Sequence, residues 1–280
     1  MMNEELVWEK VKLARHPKRP TSLALIHALF PDFMELHGDR EFGDDPAFVA
    51  GLATCENKAI TVIAQEKGTT TTDKIYRNFG MGHPEGYRKA LRLMKQAEKF
   101  HRPIFCIIDT PGAYPGIGAE ERGQAGAIAT NLREMSRLKT PIIVVVLSEG
   151  GSGGALGIGV GDAIAMFENS IYSILSPEGF ASILYKDASK AKEAAALMKL
   201  TPEDLFEMGV IDTILHEGDG LHINPTEGFL ELRNYLKSEL KRLEVISTEE
   251  LLARRYDKFR HLGQFNETST LQGVTSETKN

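Results

Sequence analysis

The chain has 280 residues, 42% hydrophobic and 26% charged, with 33 Lys and Arg against 39 Asp and Glu for a formal charge of -6. This is enough for one large core or two modest ones; it excludes a disordered chain and weighs against a dedicated nucleic-acid binder. Two cysteines without a CxxC or Cys/His cluster give neither a disulfide scaffold nor a zinc site, and the lack of a secretory h-region or an apolar run near 18 residues reads as cytoplasmic, off the membrane.

Near the N-terminus, Lys12, Arg15, His16, Lys18 and Arg19 form a basic patch ahead of Pro20. It reads either as a solvated or interface segment or as a contact for an anionic ligand or partner. Residues 21–36 predict a helix broken at Pro31, closed by the turn Gly38-Asp39-Arg40. Residues 48–54 and 59–64 predict a hairpin around Glu56-Asn57-Lys58, after which Gly68 begins a Thr-rich loop. Over 87–100, Ala90, Leu93, Met94, Ala97 and Phe100 share one face while Arg88, Lys89, Arg92 and Lys95 take the other, an amphipathic helix.

The unalternated run 104–108 predicts a parallel strand covered on both faces. A loop over 109–119, a helix over 120–139 burying Ile128, Leu132, Met135 and Leu138, and a strand over 142–147 complete a strand-helix-strand unit. The glycine-rich stretch 148–157 then leads into a helix, followed by short strands at 163–167 and 171–175. Ser176 and Thr201 each precede a proline, the pattern of an N-cap with Pro at the first helical position. Residues 190–199 predict an alanine-rich helix, and Gly209 ends another before a strand-like Val210-Ile211. Residues 226–260 predict two amphipathic helices joined at the capping box Ser247-Thr248-Glu249-Glu250, with a polar, flexible tail after His261. No internal repeat is evident. The expected organisation is a helical extension over 1–45, a core over 46–224, and C-terminal helices with a tail over 225–280.

Of the 26 glycines, 12 lie between Asp109 and Gly161, in two loops after the two most apolar strands. In an open α/β sheet such loops face one crevice. Asp109-Thr110-Pro111-Gly112-Ala113-Tyr114-Pro115-Gly116 combines prolines that fix φ with glycines that permit reversals, suited to a preorganised pocket. Asp109 itself is read as an acceptor of loop N–H groups, with a ligand-facing carboxylate as the alternative. In Ser148-Glu149-Gly150-Gly151-Ser152-Gly153-Gly154-Ala155-Leu156-Gly157, paired glycines at a helix start expose amides that can stabilise negative charge. The bland alternative is a tight crossing in which Gly154→Val affects stability alone.

The same stretch satisfies G-x-S-x-G, the nucleophile elbow of serine hydrolases. Ser152 stands five positions past the predicted strand end at Leu147, however, and none of Asp187, Asp212, His216 and His222 is singled out by context as a partner. No P-loop, dinucleotide fingerprint or zincin pair occurs. Arg122, Arg133 and Arg137 read as a solvated face with nearby glutamates, Arg122 being closest to the loop, while Lys67 and Arg77 are candidate contacts for a phosphate or carboxylate.

These residues resemble the alpha-subunit family of the bacterial and plastid acetyl-CoA carboxylase carboxyltransferase. The likeness is carried by Arg77-Asn78-Phe79-Gly80-Met81, Pro84 to Ala90, Asp109 to Gly116, Gly118 to Gln124, Asn131 to Met135, Glu149 to Leu156, Gly161-Asp162, Ser176 to Gly179 and Ala181 to Leu184, and extends from about Leu23 to Tyr256. The resemblance implies an α/β crotonase/ClpP-like fold of repeated β-β-α units with helical extensions. It implies transfer of a carboxyl group from carboxybiotin, borne by a biotin carboxyl carrier protein, to acetyl-CoA to give malonyl-CoA. Biotin carboxylase and a carboxyltransferase beta subunit, in an α2β2 assembly, are the further implied partners; the beta subunit's zinc-ribbon cysteines are absent here, so no metal is expected. By position, Gly153 and Gly154 with Ala155 adjoining would hold the ureido oxygen of biotin, Gly151 and Ser152 would flank it, and Gly112, Ala113, Tyr114, Pro115 and Gly116 would wall the site. Biotin left negative by loss of its carboxyl group is the state that fixed N–H donors favour, and its freed nitrogen would be the base, which accounts for the lack of a side-chain base. The rival readings are another acyl-CoA enzyme of the same fold, a serine hydrolase and a noncatalytic scaffold. The wording at Glu66 to Thr72 and at Met81-Gly82-His83-Pro84 departs from the family pattern and leaves local contacts open.

Overall fold

The computed structural model describes residues 3–263. Helices α1 (Glu4–Ala14) and α2 (Ser22–Leu29) lead into a short strand β1 (Met34–Glu35), where the sequence predicted helix to residue 36. Pro31 stops the helix, and β1 then pairs antiparallel with β2 (Phe48–Cys55). Gly51 permits this, because a side chain there would collide with the backbone of Met34 and Glu35. The hairpin of β2 with β3 (Lys58–Gln65) forms as predicted, closed by Glu56 and Asn57 at φ 49° and 63°, the two left-handed residues of a tight hairpin turn.

The Thr-rich segment holds a short helix α3 (Thr71–Tyr76), capped by the Thr70 hydroxyl accepting from the Asp73 N–H. The amphipathic helix α4 (Pro84–Lys99) begins at Pro84 and buries the expected Ala90, Leu93, Met94 and Ala97. Strand β4 (Ile104–Thr110) is buried along its whole length. The long helix expected over 120–139 is two, α5 (Ile117–Glu121) and α6 (Gln124–Met135), because Gly123 takes φ 83° between them.

Strand β5 (Ile142–Gly151) runs four residues beyond its expected end at Leu147. Apolar periodicity stops there, but backbone pairing does not. Thr110 pairs with Gly150 on one side, and β7 (Ile171–Ser173) pairs with residues 149–151 on the other. Glycine fits this strand because Tyr172 crowds Gly150 and the Pro111-Gly112 backbone crowds Gly151. After α7 (Ser152–Leu156) come β6 (Ala163–Phe167), which precedes β7, then α8 (Pro177–Leu184), α9 (Ala191–Leu197) and α10 (Pro202–Glu207). Ser176 and Thr201 cap α8 and α10 with Pro at N1, as read from the sequence. Gly209 reverses the chain at φ 70°, so the last strand, β8 (Thr213–Leu215), begins after Val210 and Ile211 rather than on them. Helices α11 (Pro225–Glu244) and α12 (Thr248–Arg260) meet at Ser247, whose hydroxyl accepts from the Glu250 N–H. The polar tail predicted after His261 lies, from residue 264, outside the described residues.

The sheet order is β1-β2-β3-β4-β5-β6-β8, with β7 on the far end of β5; pairing is parallel from β3 onward. One face packs against α2 and α11 through Phe105, Val145, Phe167 and Leu236. The other packs against α4 and α6 through Tyr87, Leu93, Cys106 and Val144. This mixed α/β sheet covered on both faces is what carries the ends of β3, β4 and β5 to one rim.

Candidate functional site

At the carboxyl end of β5 the chain turns sharply into α7. Ser152 is the pivot, at φ 51°, a left-handed conformation that costs a non-glycine residue about 1 kcal/mol or more. The distance argument against Ser152 therefore fails: the strand reaches Gly151, and the serine sits on the strand-to-helix corner as a nucleophile elbow would. What is lacking among the described residues is a base hydrogen-bonded to it. Where the described histidine rings form hydrogen bonds, their partners are the Lys18 N–H, Asp44, Asn78, Glu168 and the carbonyl of Asp257, none of them Ser152.

Gly153 and Gly154 occupy the first turn of α7, where N–H groups have no intrahelical acceptor. In helical register the Ala155 N–H faces the carbonyl of Gly151, so the two glycine amides are the ones on offer. The glycines differ in their surroundings. A Cβ on Gly154 would lie 2.9 Å from the Gly112 carbonyl oxygen and nearer still to Gly112 C and Ala113 N, whereas one on Gly153 would meet only Ile128 at 3.8 Å. Gly154→Val would thus disturb packing in any functional reading and cannot separate a scaffold from a site.

Polar side chains hold this corner. Gln65 Nε2 donates to the Gly154 carbonyl at 2.7 Å, and the buried Tyr87 hydroxyl donates to it at 3.3 Å. Asn131 Nδ2 donates to the carbonyls of Gly157 and Tyr87 at 2.9 and 3.0 Å. Gln124 Nε2 bridges the carbonyls of Gly82 and Tyr114 at 2.8 and 2.9 Å. Residues Gly112 and Ala113 thus abut the Gly151 and Gly154 backbones, while Tyr114 stands outward, stacked on His83 with ring centroids 4.1 Å apart. A pocket of about 440 Å³ opens beside Ser152 and Gly153, with apolar walls from Leu156, Tyr172, Ile174 and Phe259. Of the residues expected at the site, Ser152 and Gly153 line it, and Gly112, Ala113, Tyr114, Pro115, Gly116, Gly151, Gly154 and Ala155 do not.

Behind the corner, on the opposite face of the sheet, lies a charged cluster. Lys67 Nζ is 2.8 Å from Asp109 Oδ1 and 2.6 Å from Glu149 Oε2, and Arg15 Nε is 2.7 Å from Glu149 Oε1. Asp109 Oδ1 also accepts the Glu149 N–H at 3.2 Å, the structural role expected of it. Burial opposes ionisation of Glu149, but the two cations outweigh it and hold the carboxyl at about 2. Burial pushes Asp109 up, offset in part by Lys67, and burial disfavours the Lys67 ammonium less than the two carboxylates favour it.

The remaining candidates are accounted for elsewhere. The basic patch does not act as a unit: Arg19 is buried against Glu217 at 2.5 Å and the Leu147 carbonyl at 2.7 Å, Arg15 also pairs with Glu178, and Lys12 pairs with Glu9. Arg77 pairs with Asp73 and donates to the Pro46 carbonyl. Arg122 pairs with Glu85 at 2.8 Å and lies over the Phe42 ring. Periodicity passed over Gln65, Gln124 and Asn131; their signal was amides placed among apolar positions. Among the described residues no group of three His, Cys, Asp or Glu is placed to hold a metal ion, and no helix is long and apolar enough to cross a membrane.

A family model described as acetyl co-enzyme A carboxylase carboxyltransferase-like matches residues 2–263. The acetyl-coenzyme A carboxylase carboxyl transferase subunit alpha of Clostridium botulinum strain Eklund 17B is 55% identical over 94% of this chain and 99% of its own length. That of Halalkalibacterium halodurans is 56% identical over 92% of this chain and 80% of its own. Among solved structures, the transcarboxylase 12S core superposes with a TM-score of 0.68 at 16% identity, covering 97% of this chain and 47% of that one. A malonate decarboxylase hetero-dimer from Pseudomonas gives 0.65 at 16% identity, covering 89% of this chain and 96% of that one.

Proposed function

Because the chain belongs to the acetyl co-enzyme A carboxylase carboxyltransferase-like family and serves carboxyl transfer as an alpha subunit, we propose that its share of the active site is the backbone at Gly153 and Gly154. There the two amides would hold the ureido oxygen of biotin, presented by a biotin carboxyl carrier protein charged by biotin carboxylase. The observation that carries this reading is a pair of adjacent glycines at a helix start, the first of which, Gly153, lines an apolar pocket of about 440 Å³. Such a site suits a small bicyclic group with one polar oxygen, so the residues present fit biotin. When bound, biotin supplies the carboxyl group to be transferred and, once that has left, a nitrogen base.

The chain's own residues orient and stabilise. Fixed amides directed at an oxygen that gains negative charge lower the barrier without reorganising, an effect worth about 3 kcal/mol per donor. The Gly154 N–H shares its peptide plane with the Gly153 carbonyl, which accepts from the Gly157 N–H at 3.0 Å, while Gln65 and Tyr87 anchor the next peptide through the Gly154 carbonyl. Leu156, Tyr172 and Phe259 keep the pocket wall apolar, which strengthens the amide contacts. Ser152, with no partner base, flanks the site and is not a nucleophile. Gly112 and Ala113 serve as the packing surface that fixes Gly154, and Tyr114 to Gly116 form its outer wall in the assembled enzyme. We assign acetyl-CoA binding chiefly to the beta subunit, in an α2β2 assembly in the cytoplasm, with no metal in this chain.

The test is malonyl-CoA-dependent carboxylation of free biotin by the chain with and without its beta partner. Activity that needs both proteins and survives Ser152→Ala is the expected result. Turnover by the isolated chain, or its loss in Ser152→Ala, would contradict the assignment.

A further inference from the structure

Lys67, Asp109 and Glu149 stand at the carboxyl ends of three adjacent strands, β3, β4 and β5. Asp109 is one residue before the bend at Thr110 to Gly112, and Glu149 is four residues before Gly153. We propose, resting on the reading above, that Lys67 is a positioning residue for carboxyl transfer: by holding both carboxylates on one ammonium, it fixes the spacing between the Pro111–Ala113 bend and the Gly151–Gly154 corner.

Three observations carry this. At Gly151 and Gly154 the two loops meet backbone to backbone, since the atoms nearest an added Cβ are main-chain atoms of Pro111 to Ala113, which cannot rotate away as a side chain can. The strands beneath them also lose regular pairing there, with a register shift between Ile108 and Thr110 where β4 meets β5. The Lys67 ammonium spans that irregular region, with both contacts under 3 Å and its side chain only 20% exposed.

The cluster is charge-balanced as built. Lys67 and Arg15 face Asp109 and Glu149, and Glu178 from α8 adds an outer contact to Arg15. Glu66 lies next along β3, held by the N–H groups of Leu23 and Gly68. His16, Lys74 and the buried Arg19 line, with Lys67, Asp109 and Glu149, a cavity of about 290 Å³. Removing the Lys67 charge leaves Glu149 paired with Arg15 and leaves Asp109 buried beside it with the Glu149 N–H but, among the described residues, no cation in contact. At low pH Asp109, whose carboxyl burial already pushes up, is neutral beside Glu149; as pH rises and Asp109 ionises, the two carboxylates repel with no ammonium between them. The loops then separate at high pH and not at low pH.

The experiment uses the assembled alpha and beta subunits, with carboxylation of free biotin from malonyl-CoA followed from mildly acidic to alkaline pH, since burial raises the Asp109 carboxyl. For Lys67→Met we expect kcat to fall ~100-fold at the alkaline end, the loss expected of a misplacement near 1 Å, with KM for malonyl-CoA nearly unchanged. The ratio of variant to wild-type rate should rise as pH falls. Lys67→Met with Asp109→Asn restores the balance of Arg15 with Glu149 and keeps an acceptor for the Glu149 N–H, so it should recover most of kcat and flatten the ratio. A merely structural lysine would lower the melting temperature and leave kcat per folded complex and the pH ratio untouched. That result, or a double variant no better than the single one at equal folded content, overturns the proposal. A wild-type complex that carboxylates no biotin instead refutes the reading on which it rests.

Discussion

The two glycines of the α7 turn are adjacent in sequence and should respond oppositely to the same methyl group. Gly154 presses on the backbone of Gly112 and Ala113, and its added Cβ would need the neighbouring loop to retreat by about half an ångström from the Gly112 oxygen alone, and by more from Gly112 C and Ala113 N. Backbone cannot rotate away as a side chain can. Gly154→Ala should therefore cost about 1–3 kcal/mol of stability as overpacking, and about 100-fold in kcat because the amide moves with the loop. At Gly153 the nearest atoms are Ile128 carbons at 3.8 and 3.9 Å, ordinary contact, and the residue is helical. Gly153→Ala should be neutral or more stable by about 0.4–1 kcal/mol, through a stiffer unfolded chain, with its N–H intact and kcat close to wild type. Urea denaturation of the chain and the biotin carboxylation assay with the beta partner measure both quantities. A Gly154→Ala variant as stable and active as wild type, or a Gly153→Ala variant that unfolds, would refute the packing argument.

Ser152→Ala should retain carboxyl transfer within a few-fold of wild type, since no base activates the hydroxyl; abolished turnover at unchanged stability would reinstate the elbow. Arg255 is 1% exposed and donates to both Asp162 oxygens and to the carbonyls of Met135, Leu138 and Thr140. Arg255→Met should therefore lose about 3–5 kcal/mol in urea denaturation, with α12 coming away from the sheet, and a loss under 1 kcal/mol would show that this clasp contributes little. In acid, burial works against the Glu149 carboxylate while Lys67 and Arg15 hold it at about 2, below its ordinary 4.5. Its contribution to stability is complete above the unfolded pKa and is lost as pH falls from near 4.5 toward 2, so the urea midpoint should drop across that window and Glu149→Gln should flatten part of the drop. An unchanged pH slope in that variant would mean that the ion pairs are not formed in solution.

Much of the fold is legible in the residues because the signals are local. The hairpin of β2 and β3, the parallel core strands, the Ser176 and Thr201 caps and the Ser247 junction each follow from periodicity or a capping pattern within a few positions. The misread elements depend on distant partners. Strand β5 continues through glycines only because Thr110 and β7 pair with it, and Met34 and Glu35 form a strand only because Gly51 lets their backbone approach. Gly123 and Gly209 end elements by taking left-handed φ, which composition suggests but does not place. At the site, the paired glycines were visible as candidate amide donors. That Gly154 is packed against backbone while Gly153 is not could not be read from identical letters. Nor could the pairing of Lys67 with two carboxylates 42 and 82 positions away, since sequence separation carries no distance.

The most direct measurement is a structure of the assembled alpha and beta subunits with biotin bound. The account predicts the ureido oxygen about 2.7–3.1 Å from the amide nitrogens of Gly153 and Gly154, with the ring against Leu156 and Tyr172. Biotin seated away from α7, or held at its ureido oxygen by side chains instead of these two amides, would contradict it.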